Sequence, residues 1–247
     1  DHGKSTLIGR LLFDTKSITL DRINEAKAMS SSLGRDFELA FLLDSFEEER
    51  EEGFTLDTTR VQVRSHNTIF NLIAVPGHKE LVKNMLSGAS LAHAAVLIVS
   101  VKPGEGLQNE TRLHIYLAKL LGLSRLVIAV NKMDCVSYSE KEFNALKSGL
   151  SSLLNGYGFN VNELSFVPIS ARTGENVIAN SASMPWYSGR TIMDFLQDFA
   201  VVDYGAEFLK LPARMFVQDV YNIDKTVVVV GKLETGFFKL GQEIVFE

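Results

Sequence analysis

The segment Asp1-His2-Gly3-Lys4-Ser5-Thr6, followed at once by an amphipathic helical pattern, constrains this chain more than any other feature. It reads as the last part of G-x-x-x-x-G-K-[ST], a loop that closes on phosphate. Glycine at position 3 lets backbone N–H groups approach phosphate oxygens. Lys4 brings a point charge to the β- and γ-phosphates, and Ser5 offers a hydroxyl to Mg2+ at a helix N-terminus. The first glycine of such a loop and the strand before it would precede Asp1, so the sequence is expected to begin inside a longer chain.

Gly-Lys-Ser alone is a weak signal, and its weight comes from two later segments. Asn131-Lys132-Met133-Asp134 follows the apolar run Leu126-Val127-Ile128-Ala129-Val130. That places it at the C-terminal end of a parallel strand, where open α/β sheets bind nucleotides. Guanine presents N1–H and an exocyclic amine as paired donors, and adenine has no such pair. A carboxylate at Asp134 would therefore select guanine, with Asn131 bracing the loop and Lys132 lying against the ring. A second strand, Phe166-Val167-Pro168-Ile169, ends in Ser170-Ala171-Arg172, whose backbone N–H groups can meet guanine O6.

With 247 residues, 46% of them hydrophobic, the chain can bury a full core and is long for one compact domain, so one domain plus part of another is the expectation. A net charge of -5 argues against a broad nucleic-acid footprint on this portion. The single cysteine, Cys135, cannot form an internal disulfide and reads as an ordinary small residue in a reducing compartment, the cytoplasm. The longest apolar run, residues 94–99, is far too short for a bilayer, which needs about 20 residues, so no membrane partner is expected.

Up to about Phe199 apolar strands alternate with helices, the pattern of an α/β fold with a mostly parallel sheet. Strands are expected at 59–65, 68–75, 94–101, 126–131 and 165–170, the second to fourth buried on both faces. Leu113, Tyr116, Leu117, Leu120 and Leu121 form one helical core stripe, and Phe143, Leu146, Leu150, Leu153 and Leu154 another. From about Val202 the pattern turns to period-two strands at 214–223, 226–233 and 237–246. The organisation is thus a phosphate-loop nucleotide-binding domain over 1–200 and a partial, truncated β-barrel domain over 204–247. The acidic run Glu47-Glu48-Glu49-Arg50-Glu51-Glu52 reads as a solvated helix face.

Together these parts resemble a GTPase of the translation-factor class over essentially the whole chain. The resemblance is carried by DHGKST at 1–6, EEREEGFTLD at 48–57, PGH at 76–78, KNMLSGAS at 83–90, NKMD at 131–134 and MPWYSG at 184–189. Within the class, LIGRLLFDTKSI at 7–18 and VSYSE at 136–140 look most like the GTPase subunit of ATP sulfurylase. The elongation factor that delivers aminoacyl-tRNA in archaea and eukaryotes, with its release-factor and ribosome-rescue relatives, is the runner-up.

The resemblance implies GTP/GDP and Mg2+ as ligands and assigns further roles. Thr55 would add a second hydroxyl to Mg2+ in the GTP state. Gly77 would donate its N–H to the γ-phosphate, and His78 would position the attacking water. Asp1 and His2 occupy loop positions that the class fills with the same residues. His66, His93 and His114 lack such a setting and read as structural. The favoured partner is an adenylyltransferase catalytic subunit that forms adenylyl sulfate. The alternative is the ribosome with tRNA or a release or rescue factor.

One departure stands out. The class places an aspartate three residues before the second-switch glycine, where it holds a water on Mg2+, and this chain has Ala74 there, in Ala74-Val75-Pro76-Gly77. Phe54 also replaces the usual isoleucine beside the histidine. A third reading is therefore a GTP-binding switch with weak or no hydrolysis. Loss of such an outer ligand costs roughly ten- to a hundredfold in metal affinity or activity. Ala74→Asp is expected to sharpen the Mg2+ dependence of nucleotide binding by about that factor, read by titrating Mg2+ against a fluorescent guanine nucleotide; an unchanged dependence would refute the role given to position 74.

Overall fold

The computed structural model describes residues 2–32, 39, 40, 42, 59–65, 67–75, 86, 88, 89, 92–123, 125–200, 209–223 and 226–244. The expected roles of Asp1, Thr55, Gly77 and His78, and the acidic run at 47–52, lie outside these residues. The chain divides into two compact units, Asp1–Ala200 and Val201–Glu247.

In the first unit, helix α1 (Lys4–Asp14) buries Leu7, Ile8, Leu11 and Leu12, a stripe at helical spacing. Thr15 closes it, its hydroxyl donating to Leu11 O at 2.6 Å. Helix α2 (Leu20–Ser32) follows, then strands β1 (Thr59–Ser65) and β2 (Thr68–Ala74), which pair antiparallel with Ser65 opposite Thr68. Strand β1 alternates strictly, Thr59, Val61 and Val63 in and the rest out, as a strand with one solvated face must. Its partner follows suit: Ile69 is exposed while Phe70 is buried, so β2 is not covered on both faces as its composition suggested.

Strands β3 (Ala95–Ser100), β4 (Leu126–Asn131) and β5 (Ser165–Pro168) form a parallel sheet in that order, joined by helices α3 (Asn109–Leu120) and α4 (Glu140–Gly156). Every residue of the central strand β4 is buried. Its side chains alternate between two cores. Val127 and Ala129 join α1, β1 and helix α5 (Ile192–Ala200) on one side, and Ile128 and Val130 join Ile115, Phe143, Leu150 and Leu154 on the other. Each valine, isoleucine, leucine or phenylalanine among them contributes about 1.5–3 kcal/mol when fully removed from water. A strand packed on both faces in this way holds its C-terminal end, residue 131, in a fixed place.

The α4 stripe is as expected, with Phe143, Leu150 and Leu154 buried and Ser139 capping the helix through Glu142 N. The α3 stripe is rotated. Ile115 and Leu117 face the core, while Tyr116 and Leu120 are 49% and 63% exposed. Leucines on both sides of α3 made the face ambiguous from spacing alone, and Tyr116 instead meets the Tyr157 ring at 6.2 Å between centroids.

In the second unit, β6 (Arg214–Ile223) and β7 (Thr226–Thr235) pair antiparallel, with register shifts between Arg214 and Met215 and between Val217 and Asp219. The expected third strand at 237–246 is not formed over its described part, 237–244, which is irregular around a turn at Leu240-Gly241. Gly241, at φ 80, sits in the left-handed region that glycine adopts freely. Among the described residues no helix is long and apolar enough to cross a membrane.

Candidate functional site

Gly3 begins α1 with φ 89 and ψ 35, a left-handed conformation that lets the loop turn directly into the helix. No side chain caps this N-terminus. The first free N–H groups of α1 therefore face the loop, and with the helix dipole they make a place for an anion. Space enforces the glycine as well, because a Cβ at position 3 would lie 2.4 Å from Asn131 Nδ2.

Asn131, the last residue of β4, is 2% exposed and works with both ends of its amide. Its Nδ2 donates to His2 O at 2.9 Å, and its Oδ1 accepts from Ala171 N at 2.9 Å. The bracing expected of Asn131 thus has a definite form: it fastens the phosphate loop to the Ser170-Ala171-Arg172 turn. The Ala171 N–H is consequently spent inside the protein.

Asp134 lies in the short 3-10 turn Met133–Val136, and the Ser170 hydroxyl donates to its Oδ1 at 2.7 Å. Its Oδ2 accepts from the Cys135 thiol at 3.8 Å, a weak bond that a base edge can displace. Lys132 takes φ 67, and its ammonium donates to Glu105 Oε2 at 2.6 Å. That ammonium draws the Glu105 carboxyl down to about 2, and it stays ionised at any physiological pH. His2 reaches the same loop, its ring lying between Ile98 O at 3.2 Å and Glu105 O at 3.1 Å. Lys4 is half-buried and donates to Val75 O at 2.7 Å. Burial lowers its pKa from the ordinary value, so an arriving polyanion would stabilise its charged form.

These residues fit a nucleotide: a glycine-lined helix start, a half-buried cation beside it, and a braced carboxylate after β4. For Mg2+ the described residues offer the Ser5 hydroxyl, and no cluster of three or more His, Cys, Asp or Glu able to hold a metal occurs among them. Thr6 is half-buried in the first turn of α1. Ala74 ends β2 and packs against the core with no carboxylate to offer.

Sequence reasoning gave no role to Glu105 or Arg10, or to the way the MPWYSG segment is used. Trp186 Nε1 donates to Tyr138 O at 3.0 Å, bracing a turn in which Ser137 and Tyr138 both take positive φ. Arg10 reaches from α1 to the carbonyls of Ala171 and Arg172. An arginine paired with Asp14 one turn on was visible in the sequence, but its reach to position 171 was not. Gly3→Ala is expected to displace Asn131 and weaken guanine-nucleotide affinity about tenfold or more, measured by fluorescence titration. Affinity within twofold of the unsubstituted chain would contradict this geometry.

The model of the elongation factor Tu GTP binding domain matches residues 1–211. Elongation factor 1-alpha of Thermoplasma acidophilum is 42% identical over 250 residues, which take in 100% of this chain and 58% of that protein. The Saccharolobus solfataricus elongation factor 1-alpha is 42% identical over 255 residues, with 100% and 58% covered. The chain thus spans 58% of the length of these curated relatives. Among solved structures, sup35 complexed with GDP aligns with a TM-score of 0.58 at 26% identity, over 96% of this chain and 50% of that one. The S. cerevisiae Ski7 GTPase-like domain, bound to GDP and inorganic phosphate, aligns with a TM-score of 0.73 at 23% identity, over 98% and 57%, and speaks for the fold alone. These relatives favour the translation-factor reading over the ATP sulfurylase subunit. With a phosphate-loop α/β fold and a family match over most of its length, the chain belongs to the elongation factor Tu GTP-binding-domain family.

Proposed function

We propose that this chain binds GTP and GDP and hydrolyses GTP as the nucleotide switch of a translation factor of the elongation, release or rescue type. The observation that carries the reading is the Asn131 side chain, which joins the phosphate loop at His2 to the Ala171 turn, beside an Asp134 carboxylate held by Ser170. That arrangement sets an acceptor for the paired donors of guanine and a helix start for a triphosphate on hydrogen-bonded neighbours. The elongation factor 1-alpha relatives support the translation setting.

In this reading Gly3, Lys4, Ser5 and Thr6 hold the phosphates, and Asp134 with the Ser170-Ala171-Arg172 turn takes the base, Asn131 bracing that turn and Lys132 lying against the ring. Ser5 and Thr55 supply the protein oxygens to Mg2+. When bound, the ion neutralises charge on the phosphates. Lys4 adds its own charge there and, on binding, exchanges Val75 O for phosphate. Gly77 senses the terminal phosphate through its N–H, and His78 orients the attacking water. Partners on this reading are the ribosome with tRNA or with a release or rescue factor. The adenylyltransferase partner expected from local likeness has no support from the relatives above.

Ala74 favours a second reading, a switch that turns over slowly, because no carboxylate stands where the class holds a water on the ion. The two are separated by timed phosphate release from GTP with and without ribosomes. Stimulation by ribosomes of about tenfold or more is expected. A chain that binds GTP and releases no phosphate under either condition would establish the silent switch, and stimulation by an adenylyltransferase instead of ribosomes would overturn the translation assignment.

A further inference from the structure

Arg10 of α1 grips the base-side turn from behind. Its Nε donates to Ala171 O at 3.1 Å, one Nη donates to Arg172 O, and the other pairs with Asp14 Oδ1 at 3.3 Å. The side chain is only 16% exposed, and Gly174, at φ 89, closes over it so that a Cβ there would sit 3.5 Å from Arg10 Cδ. A planar guanidinium can satisfy two neighbouring carbonyls at once, and an ammonium cannot present the same fork.

The amides of this turn are nearly all committed. Ser170 N donates to Glu175 O, Ala171 N to Asn131 Oδ1, Thr173 N to Ser170 Oγ and Gly174 N to Ser170 O. Arg172 N–H alone among them has no acceptor among the described residues. The Ala171 carbonyl and the Arg172 N–H are opposite ends of one planar peptide unit, so whatever fixes the carbonyl also fixes the direction of the N–H.

We infer that Arg10 is a positioning residue for base recognition: by holding the Ala171 carbonyl it aims the Arg172 N–H at the 6-oxo group of a purine bound beside Asp134. The inference rests on the guanine-nucleotide reading above and deepens it. It makes the helix that starts at the phosphate loop a direct determinant of base selectivity. Asn131 and Arg10 then hold the two faces of the same turn, one through the loop and one through the helix.

The test compares GDP with 6-thio-GDP, whose sulfur is a poor acceptor, in the full chain and in Arg10→Met and Arg10→Lys, by competition against a fluorescent guanine nucleotide. The preference for GDP is expected to be about tenfold in the unsubstituted chain, the worth of one hydrogen bond. It should fall to about twofold in Arg10→Met and lie between in Arg10→Lys. The ratio is taken within each variant, so a loss of folded protein scales both affinities and leaves it unchanged. A preserved ratio in Arg10→Met, even with weaker binding of both ligands, overturns the inference and leaves Arg10 structural. An unsubstituted chain that binds GDP without preferring it to 6-thio-GDP also overturns the inference while the guanine reading stands. One that binds neither nucleotide overturns both.

Discussion

The whole site depends on one buried amide. Asn131 is donor to the loop before α1 and acceptor from the turn after β5, and neither bond can be given up to water because the side chain is sealed in. Leaving a buried polar group unpaired costs about 1–3 kcal/mol, so the two loops are held in one relation. The demand reaches back into the sequence. Gly3 has to be glycine both for its left-handed backbone and because a side chain would fall on Asn131 Nδ2.

That amide can serve as a fixed post because of the strand it ends. Strand β4 is buried over its full length and shared by two cores, so its C-terminal residue has no freedom to drift. Around it the same logic repeats with charges and carbonyls. Glu105 takes Lys132, His2 reaches the Glu105 backbone, and Ser170 holds Asp134. The loop before α1 and the turn after β5 are therefore not two features that merely lie near each other. They are one hydrogen-bonded ring built on the ends of β3, β4 and β5 and the start of α1.

Much of this was legible because it is written locally. A glycine-lysine-serine run at a helix start, and Asn-Lys-x-Asp after an all-apolar strand, each report their neighbours within a few residues, and the structure puts them side by side. The rest depended on pairings at long sequence separation. Arg10 finds Ala171 across 161 positions and Lys132 finds Glu105 across 27, and nothing in either segment announces the other. Helix α3 misled for a different reason, since it carries apolar residues on more than one face and only the packing of Ile115 selects among them. The period-two pattern at 237–246 read as a strand, yet the ladder of β6 and β7 does not extend to its described part, 237–244. Local likeness also pointed to a sulfate-activating subunit, and comparison along the whole chain moved that toward the translation factors.

On the proposed reading Asp134 selects guanine nucleotides while the start of α1 anchors their phosphates. Calorimetric titration of the same preparation with GDP and with ADP, in Mg2+, tests it most directly. Saturable binding of GDP with ADP weaker by at least about a hundredfold is the predicted result. Equal affinity for the two would show that the phosphate loop binds nucleotides without the base selectivity assigned to Asp134.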